Sequence, residues 1–171
     1  MAEKIIGIDL GTRNMPKDEK TLYPLDGFKG VIETLPHCKL LGIRFSKVSR
    51  GSCEAYIEYG DHLAGDPESG IIHGGVITTL MDTLGGGCVF SLVQQGQSAA
   101  TLDLRIDYLK PAITKERING FAECYKLTQN IAFVRGYAFN RDREKPIAHC
   151  AATFVIGSVG FSPTVPKGST G

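Results

Sequence analysis

A histidine followed by two glycines, His73-Gly74-Gly75, opens an apolar-periodic stretch, and Asp82 follows nine residues after the histidine. At a helix start, free backbone N–H groups and the positive end of the macrodipole favour an anion or a developing oxyanion. Glycine there lets a carbonyl reach the main chain. Nine helical residues make about two and a half turns, so one site that uses both groups needs a bridging ligand or a partner subunit.

The spacing predicts a long helix from about Gly74 to Gln94. At about 100° per residue, Val76, Ile77, Leu80, Met81, Leu84, Cys88 and Leu92 fall on one stripe, while Asp82 lies off it among Gly75, Thr78, Thr79, Gly85 and Gly86. A helical glycine costs about 1 kcal/mol relative to alanine, so the run Gly85-Gly86-Gly87 implies a close approach. The expected visitor is a second backbone or a thin ligand, with Asp82 at the contact.

Around this helix the chain alternates short signals without internal repeats. Phe28, Val31, Ile32 and Leu35 predict a short helix over about 26–36, closed by Pro36. Leu40–Val48 and Ser52–Tyr59 read as strands around Arg50-Gly51, and 60–70 is dense in turn formers. Four more strands follow, over Ala100–Leu109, Arg117–Thr128, Ile131–Asn140 and Ile147–Ile156. Their connections are too short for helical crossovers, so the sheet is largely antiparallel and the fold α+β, with the helix on its concave side. One helix covers one face, which leaves the outer face and one edge in need of other company.

The 171 residues suit one domain, expected over 15–157. A second methionine, Met15, marks 1–14 as an expected expression leader, and 158–171 reads as a flexible tail. Within the leader, Ile8-Asp9-Leu10-Gly11-Thr12 resembles a phosphate loop of the actin and heat-shock ATPases, but the polar segment after it does not continue that pattern. With 19 basic and 18 acidic residues the net charge is +1, so no global field draws in nucleic acid or an anionic membrane. Five scattered cysteines with no C-x-x-C pair give neither a disulfide framework nor a zinc ribbon. The expected location is the cytoplasm. His37, His62 and His149 have no metal-ligand spacing, so no metal is expected, and His149 is expected to pack in the last strand.

Ser69 to Asp82, centred on His73-Gly74-Gly75, and then Thr101 to Ala112, with its Tyr108-Leu109-Lys110-Pro111-Ala112 ending, resemble the hotdog-fold acyl-CoA thioesterases of the phenylacetic-acid-degradation type. The resemblance covers about residues 25–157 and implies a long helix wrapped by a curved antiparallel sheet. It also implies edge-to-edge pairing into a homodimer, or a tetramer built as a dimer of dimers, with sites at the protomer interface. The substrate would be an acyl-CoA, with no further cofactor. By that resemblance Asp82 is the catalytic carboxylate, the Gly74 N–H the oxyanion donor and His73 its positioner. Thr101 would orient water or substrate from the partner subunit, and Gly75, Gly86, Met81, Asp66 and Pro67 would contact substrate. Met81 and Leu84 would line the acyl slot.

Relatives of this type carry an amide six residues before the motif histidine, whereas this chain has Pro67 beside Asp66 in a longer loop. The rival to hydrolysis is therefore a non-catalytic acyl-CoA-binding or sensing module. A hotdog dehydratase fits less well, because its histidine and acid sit in a different motif. Arg105, Lys110, Lys126, Arg135, Arg141 and Arg143 are candidates for the coenzyme's anionic end. Strict alternation puts Leu102, Leu104, Ile106 and Tyr108 on one strand face and Thr101 on the other, which turns Thr101 away from its own helix.

Overall fold

A computed structural model describes residues 22–157; the expected leader, the phosphate-loop resemblance and the expected tail lie outside the described residues. Two short helices come first, α1 (Leu25–Thr34) and α2 (Pro36–Leu41). They lead into strands β1 (Ile43–Ser49) and β2 (Ser52–Ile57). A 3-10 turn (Asp61–Leu63) and a small ribbon of β3 (Ala64–Asp66) and β4 (Ile71–Ile72) precede the long helix α3 (Gly74–Phe90). Strands β5 (Ala99–Tyr108), β6 (Ile118–Leu127), β7 (Ile131–Phe139) and β8 (Ala148–Ile156) complete the chain.

Six strands form one antiparallel sheet in the order β1-β2-β6-β7-β8-β5, with α3 packed across one face. The predicted stripe carries that contact, since Val76, Ile77, Leu80, Met81, Leu84 and Cys88 are all buried, and Leu92, just beyond the helix end, is buried too. Two boundaries differ from expectation by more than two residues. Pro36 closes α1 and also opens α2, because proline at the first helical position forfeits an N–H that has no intrahelical partner there anyway. Residues 40 and 41 therefore end α2 instead of starting β1, and Gly42 at φ 70° takes the left-handed conformation that stops it.

The other difference is that α3 stops at Phe90, four residues early. Ser91 caps it, its Oγ accepting from Gly51 N (2.7 Å) and donating to Cys88 O (2.7 Å), with the side chain fully buried. Ser91→Ala would orphan the Gly51 N–H and is expected to cost about 1–3 kcal/mol, read as a lower midpoint in urea with an unchanged slope.

The outer sheet face supplies much of its own cover. Arg117 lies over the Tyr56 ring (4.2 Å), Arg135 over Tyr125 (5.6 Å) and Arg143 over Phe121 (5.1 Å) and Phe139 (5.6 Å), distances at which a cation is attracted by a ring face. His149 is exposed on this face beside Tyr137 instead of packing inward. β5 forms a free edge, and Leu102 and Tyr108 on it are more than half exposed. No helix among the described residues is long and apolar enough to cross a membrane.

Candidate active site

α3 and β5 together bring up the first pair of predicted residues. The Thr101 hydroxyl donates to Asp82 Oδ1 at 2.8 Å, within one chain and not across a subunit boundary. A β-bulge makes this possible. Thr101 lies opposite Phe154 and Asp103 opposite Thr153, which leaves Leu102 as an extra residue without a partner. Beyond the bulge the alternation is reversed, so Thr101 shares the helix-facing side with Leu104 and Ile106, while Leu102 turns outward. The strict alternation read from the sequence is corrected accordingly.

Asp82 and Thr101 stand at the margin of an apolar cavity of about 330 Å³. Its walls include Ile32, Leu35 and Cys38 from the α1–α2 segment, Gly86 and Phe90 from α3, and Phe154 from β8. Met81, expected at the acyl slot, instead points into the core against Gly136, and Leu84 is fully buried with it. Two glycines of the triple run serve a different purpose from the one expected. A Cβ at Gly85 would lie 2.8 Å from Phe154 Cζ, and one at Gly87 would lie 3.2 Å from both Cys53 Sγ and Phe45 Cε1. Those two glycines admit the sheet's own side chains, and only Gly86 opens onto the cavity.

Two thiols stand close enough to feel Asp82. Burial pushes Cys150 up to about 11, and the Asp82 charge adds to the rise. Burial also raises Cys38, against a contact to Thr83 that lowers it, while Asp82 raises it further. Both shifts disfavour the thiolate, so neither thiol is a ready nucleophile beside Asp82.

His73, Gly74 and Gly75 lie elsewhere, eight or so residues back along α3 from Asp82, a rise of about 12 Å. His73 is the N-cap, its Nδ1 accepting the Gly75 N–H at 2.9 Å. Among the described residues no acceptor takes the Gly74 N–H. Tyr108, which sequence reasoning left without a role, donates to Gly74 O (2.7 Å) and bonds Thr78 Oγ1 (2.8 Å). A Cβ at position 74 would sit 3.0 Å from that phenol oxygen, so glycine is what lets the end of β5 clamp the helix entrance. The tyrosine's place on the helix-facing alternation of β5 was the available signal.

A second cavity, about 430 Å³, lies beside this entrance and is lined in part by His37, His62, His73 and Gly75. α2 crosses α3 between the two cavities, with His37 3.5 Å from Thr79 and Cys38 3.8 Å from Thr83. No group of three or more His, Cys, Asp or Glu side chains among the described residues could hold a metal ion. Asp66 is exposed and committed locally, accepting from Glu68 N and Ser69 N at 3.2 Å each, and hydrogen bonds from Ser69 and Glu68 hold its carboxyl below the usual range. Pro67 is exposed in the same turn. Of the basic candidates, Arg105, Arg135, Arg141 and Arg143 are paired with Asp107, Glu123, Glu116 and Glu54. Lys110 and Lys126 form no ion pair among the described residues.

One long helix across an antiparallel sheet is the hotdog fold, and residues 69–147 match the thioesterase superfamily. A Pseudomonas aeruginosa protein of known crystal structure is 39% identical, with a TM-score of 0.70 over 77% of this chain and 98% of that one. The medium/long-chain acyl-CoA thioesterase YigI of Escherichia coli is 24% identical over 136 residues, 72% of this chain and 86% of that protein. Thioesterase HI1161 of Haemophilus influenzae, at 19% identity, shares the fold with a TM-score of 0.70 over 87% of this chain and 98% of that one. The chain belongs to the thioesterase superfamily.

Thr101→Val keeps the side-chain shape and removes the hydroxyl from Asp82. One hydrogen bond to a charged group contributes about 1.5–3 kcal/mol, so kcat for thioester hydrolysis is expected to fall about ten- to a hundredfold, with KM changing less.

Proposed function

We propose that the protein hydrolyses acyl-CoA thioesters, in the manner of the phenylacetic-acid-degradation type of hotdog thioesterase, releasing a carboxylic acid and free coenzyme A. The observation that carries this reading is the Asp82–Thr101 hydrogen bond at the margin of an apolar cavity. Asp82 takes a proton from water as the oxygen attacks the thioester carbon, or attacks that carbon itself to give an anhydride that water then opens. In either route the C–S bond breaks and the coenzyme leaves as its thiol.

The developing oxyanion needs a donor. Within one protomer the Gly74 N–H is about 12 Å along the helix from Asp82, so the donor to this site is the Gly74 N–H of a second copy, in a dimer paired along the β5 edge. Such a pairing would also cover Leu102, which is 58% exposed. The partner's His73 then fixes its own helix start, and Lys110 and Lys126 are the basic candidates left unpaired for the coenzyme's phosphates.

A second reading, an acyl-CoA-binding module without turnover, is favoured by one feature. Asp66 spends both carboxylate oxygens on its own turn and Pro67 has no side-chain donor, so neither replaces the amide that relatives place there. Thiol release from a panel of short, medium, long and aromatic acyl-CoAs separates the two. Hydrolysis of any member that depends on Asp82 supports the enzyme; tight binding of acyl-CoA with no thiol release supports the binding module.

A further inference from the structure

The cavity beside Asp82 is polar at one end and apolar along the rest, and its residues lie in order along α3. Asp82 stands midway along α3, Gly86 one turn further at about 6 Å, and Phe90 a turn beyond at about 12 Å. A chain held with its carbonyl at the Asp82–Thr101 pair therefore runs over Gly86 before it meets the Phe90 ring. The opposite wall is Ile32, Leu35 and Cys38, and no charged side chain other than Asp82 lines the cavity.

Gly86 differs from its neighbours. A Cβ at 85 would crowd Phe154 at 2.8 Å and one at 87 would crowd Phe45 and Cys53 at 3.2 Å, whereas a Cβ at 86 would meet nothing closer than Phe154 Cε1 at 4.0 Å. Packing within the chain thus leaves room for a side chain at this position, and glycine costs helix stability there. What the glycine preserves is cavity volume directly in the path from Asp82 to Phe90.

We propose that Gly86 is the acyl-length gate of this cavity, which takes an unbranched acyl chain of medium length ending against Phe90. The inference rests on the acyl-CoA reading above and adds the substrate class and the residue that sets it. A branched chain at position 86 would fill the path one turn beyond the carbonyl, so that short acyl groups enter and longer ones lose their distal methylenes from the pocket.

Alkyl-CoA thioethers test this without turnover, because they keep the coenzyme and the chain but have no carbonyl to cleave. Dissociation constants for butyl-, octyl- and dodecyl-CoA would be measured on the wild type, Gly86→Ala and Gly86→Leu, with thiol release from the matching acyl-CoAs in parallel. Each buried methylene contributes about fourfold in affinity. The wild type is expected to favour octyl over butyl strongly, with little further gain for dodecyl. Gly86→Leu should cut the octyl-to-butyl preference about twentyfold or more. Gly86→Ala, whose added methyl has space, should fold at least as stably as the wild type and cut the preference about fourfold, which keeps the test alive if the leucine variant fails to fold.

An octyl preference absent from the wild type, or unchanged in folded Gly86→Leu and Gly86→Ala, overturns the gate. If the preference shifts as expected and no protein releases thiol, the gate stands and the hydrolase reading falls.

Discussion

Asp82→Asn is expected to lower kcat for acyl-CoA hydrolysis by about a thousandfold or more while leaving the fold intact. General acid–base assistance alone contributes about 10²–10⁴, and loss of a carboxylate nucleophile would remove at least as much. Asparagine keeps the shape and can still accept the Thr101 hydroxyl through Oδ1, so what disappears is the negative charge. Asp82 is half-buried and forms no ion pair among the described residues, so its neutralisation breaks no structural contact beyond that hydrogen bond. Circular dichroism and thermal midpoint should therefore match the wild type. Equal thiol release by the two proteins would remove Asp82 from the chemistry. A single turnover in heavy-oxygen water tests for the anhydride. Label in the Asp82 peptide marks an anhydride opened at the Asp82 carbonyl, whereas label confined to the product acid is the outcome of general-base attack or of an anhydride opened at the acyl carbon.

How far the sequence reaches can be argued from particular residues. The buried stripe from Val76 to Leu92 follows from 3.6-residue periodicity, which a long helix displays over many turns. The last four strands were legible for the matching reason, period two over nine or ten residues with short connections. Thr101 was assigned to the wrong face because one unpaired residue, Leu102, inverts everything on one side of it, and a bulge leaves no mark in alternating hydrophobicity. Pro36 was read as a stop when it is both a stop and a start, since the same missing N–H suits either position. Met81 looked like a pocket residue because a stripe says which side is apolar and nothing about whether the sheet or a cavity lies opposite. The same limit applies to the α1–α2 wall of the cavity, as Ile32, Leu35 and Cys38 reach it through tertiary packing alone. The separation of Gly74 from Asp82 needed only the rise per residue, and it was legible from the start.

Gly136→Ala is expected to be the most destabilising small substitution in the sheet, and it tests what holds Asp82 against Thr101. A Cβ there would lie 2.4 Å from Phe121 O, 2.8 Å from Met81 Cε and 3.1 Å from Ala122 Cα. A methionine tip can swing aside, but a carbonyl oxygen and a Cα of the neighbouring strand cannot move without breaking the register in which Gly136 faces Ala122. Overpacking of this kind costs about 1–3 kcal/mol and more where backbone must shift, so a loss of about 3 kcal/mol is expected, a fall in Tm of roughly 10 °C for a domain of this size. Relief comes either from parting β6 and β7 or from lifting α3 off the sheet at Met81. Lifting also moves the adjacent Asp82 away from Thr101, which is fixed to β5 at the sheet edge, so kcat should fall along with Tm. Gly86→Ala provides the opposite sign on the same helix, because its methyl enters open space and relieves a helical glycine, for a gain of up to about 1 kcal/mol. Thermal melts of the two variants side by side, each with its hydrolysis rate, decide the point. Wild-type stability in Gly136→Ala would mean that the helix and sheet have slack between them, and the 2.8 Å bond from Thr101 to Asp82 would then need a different explanation from close helix–sheet packing.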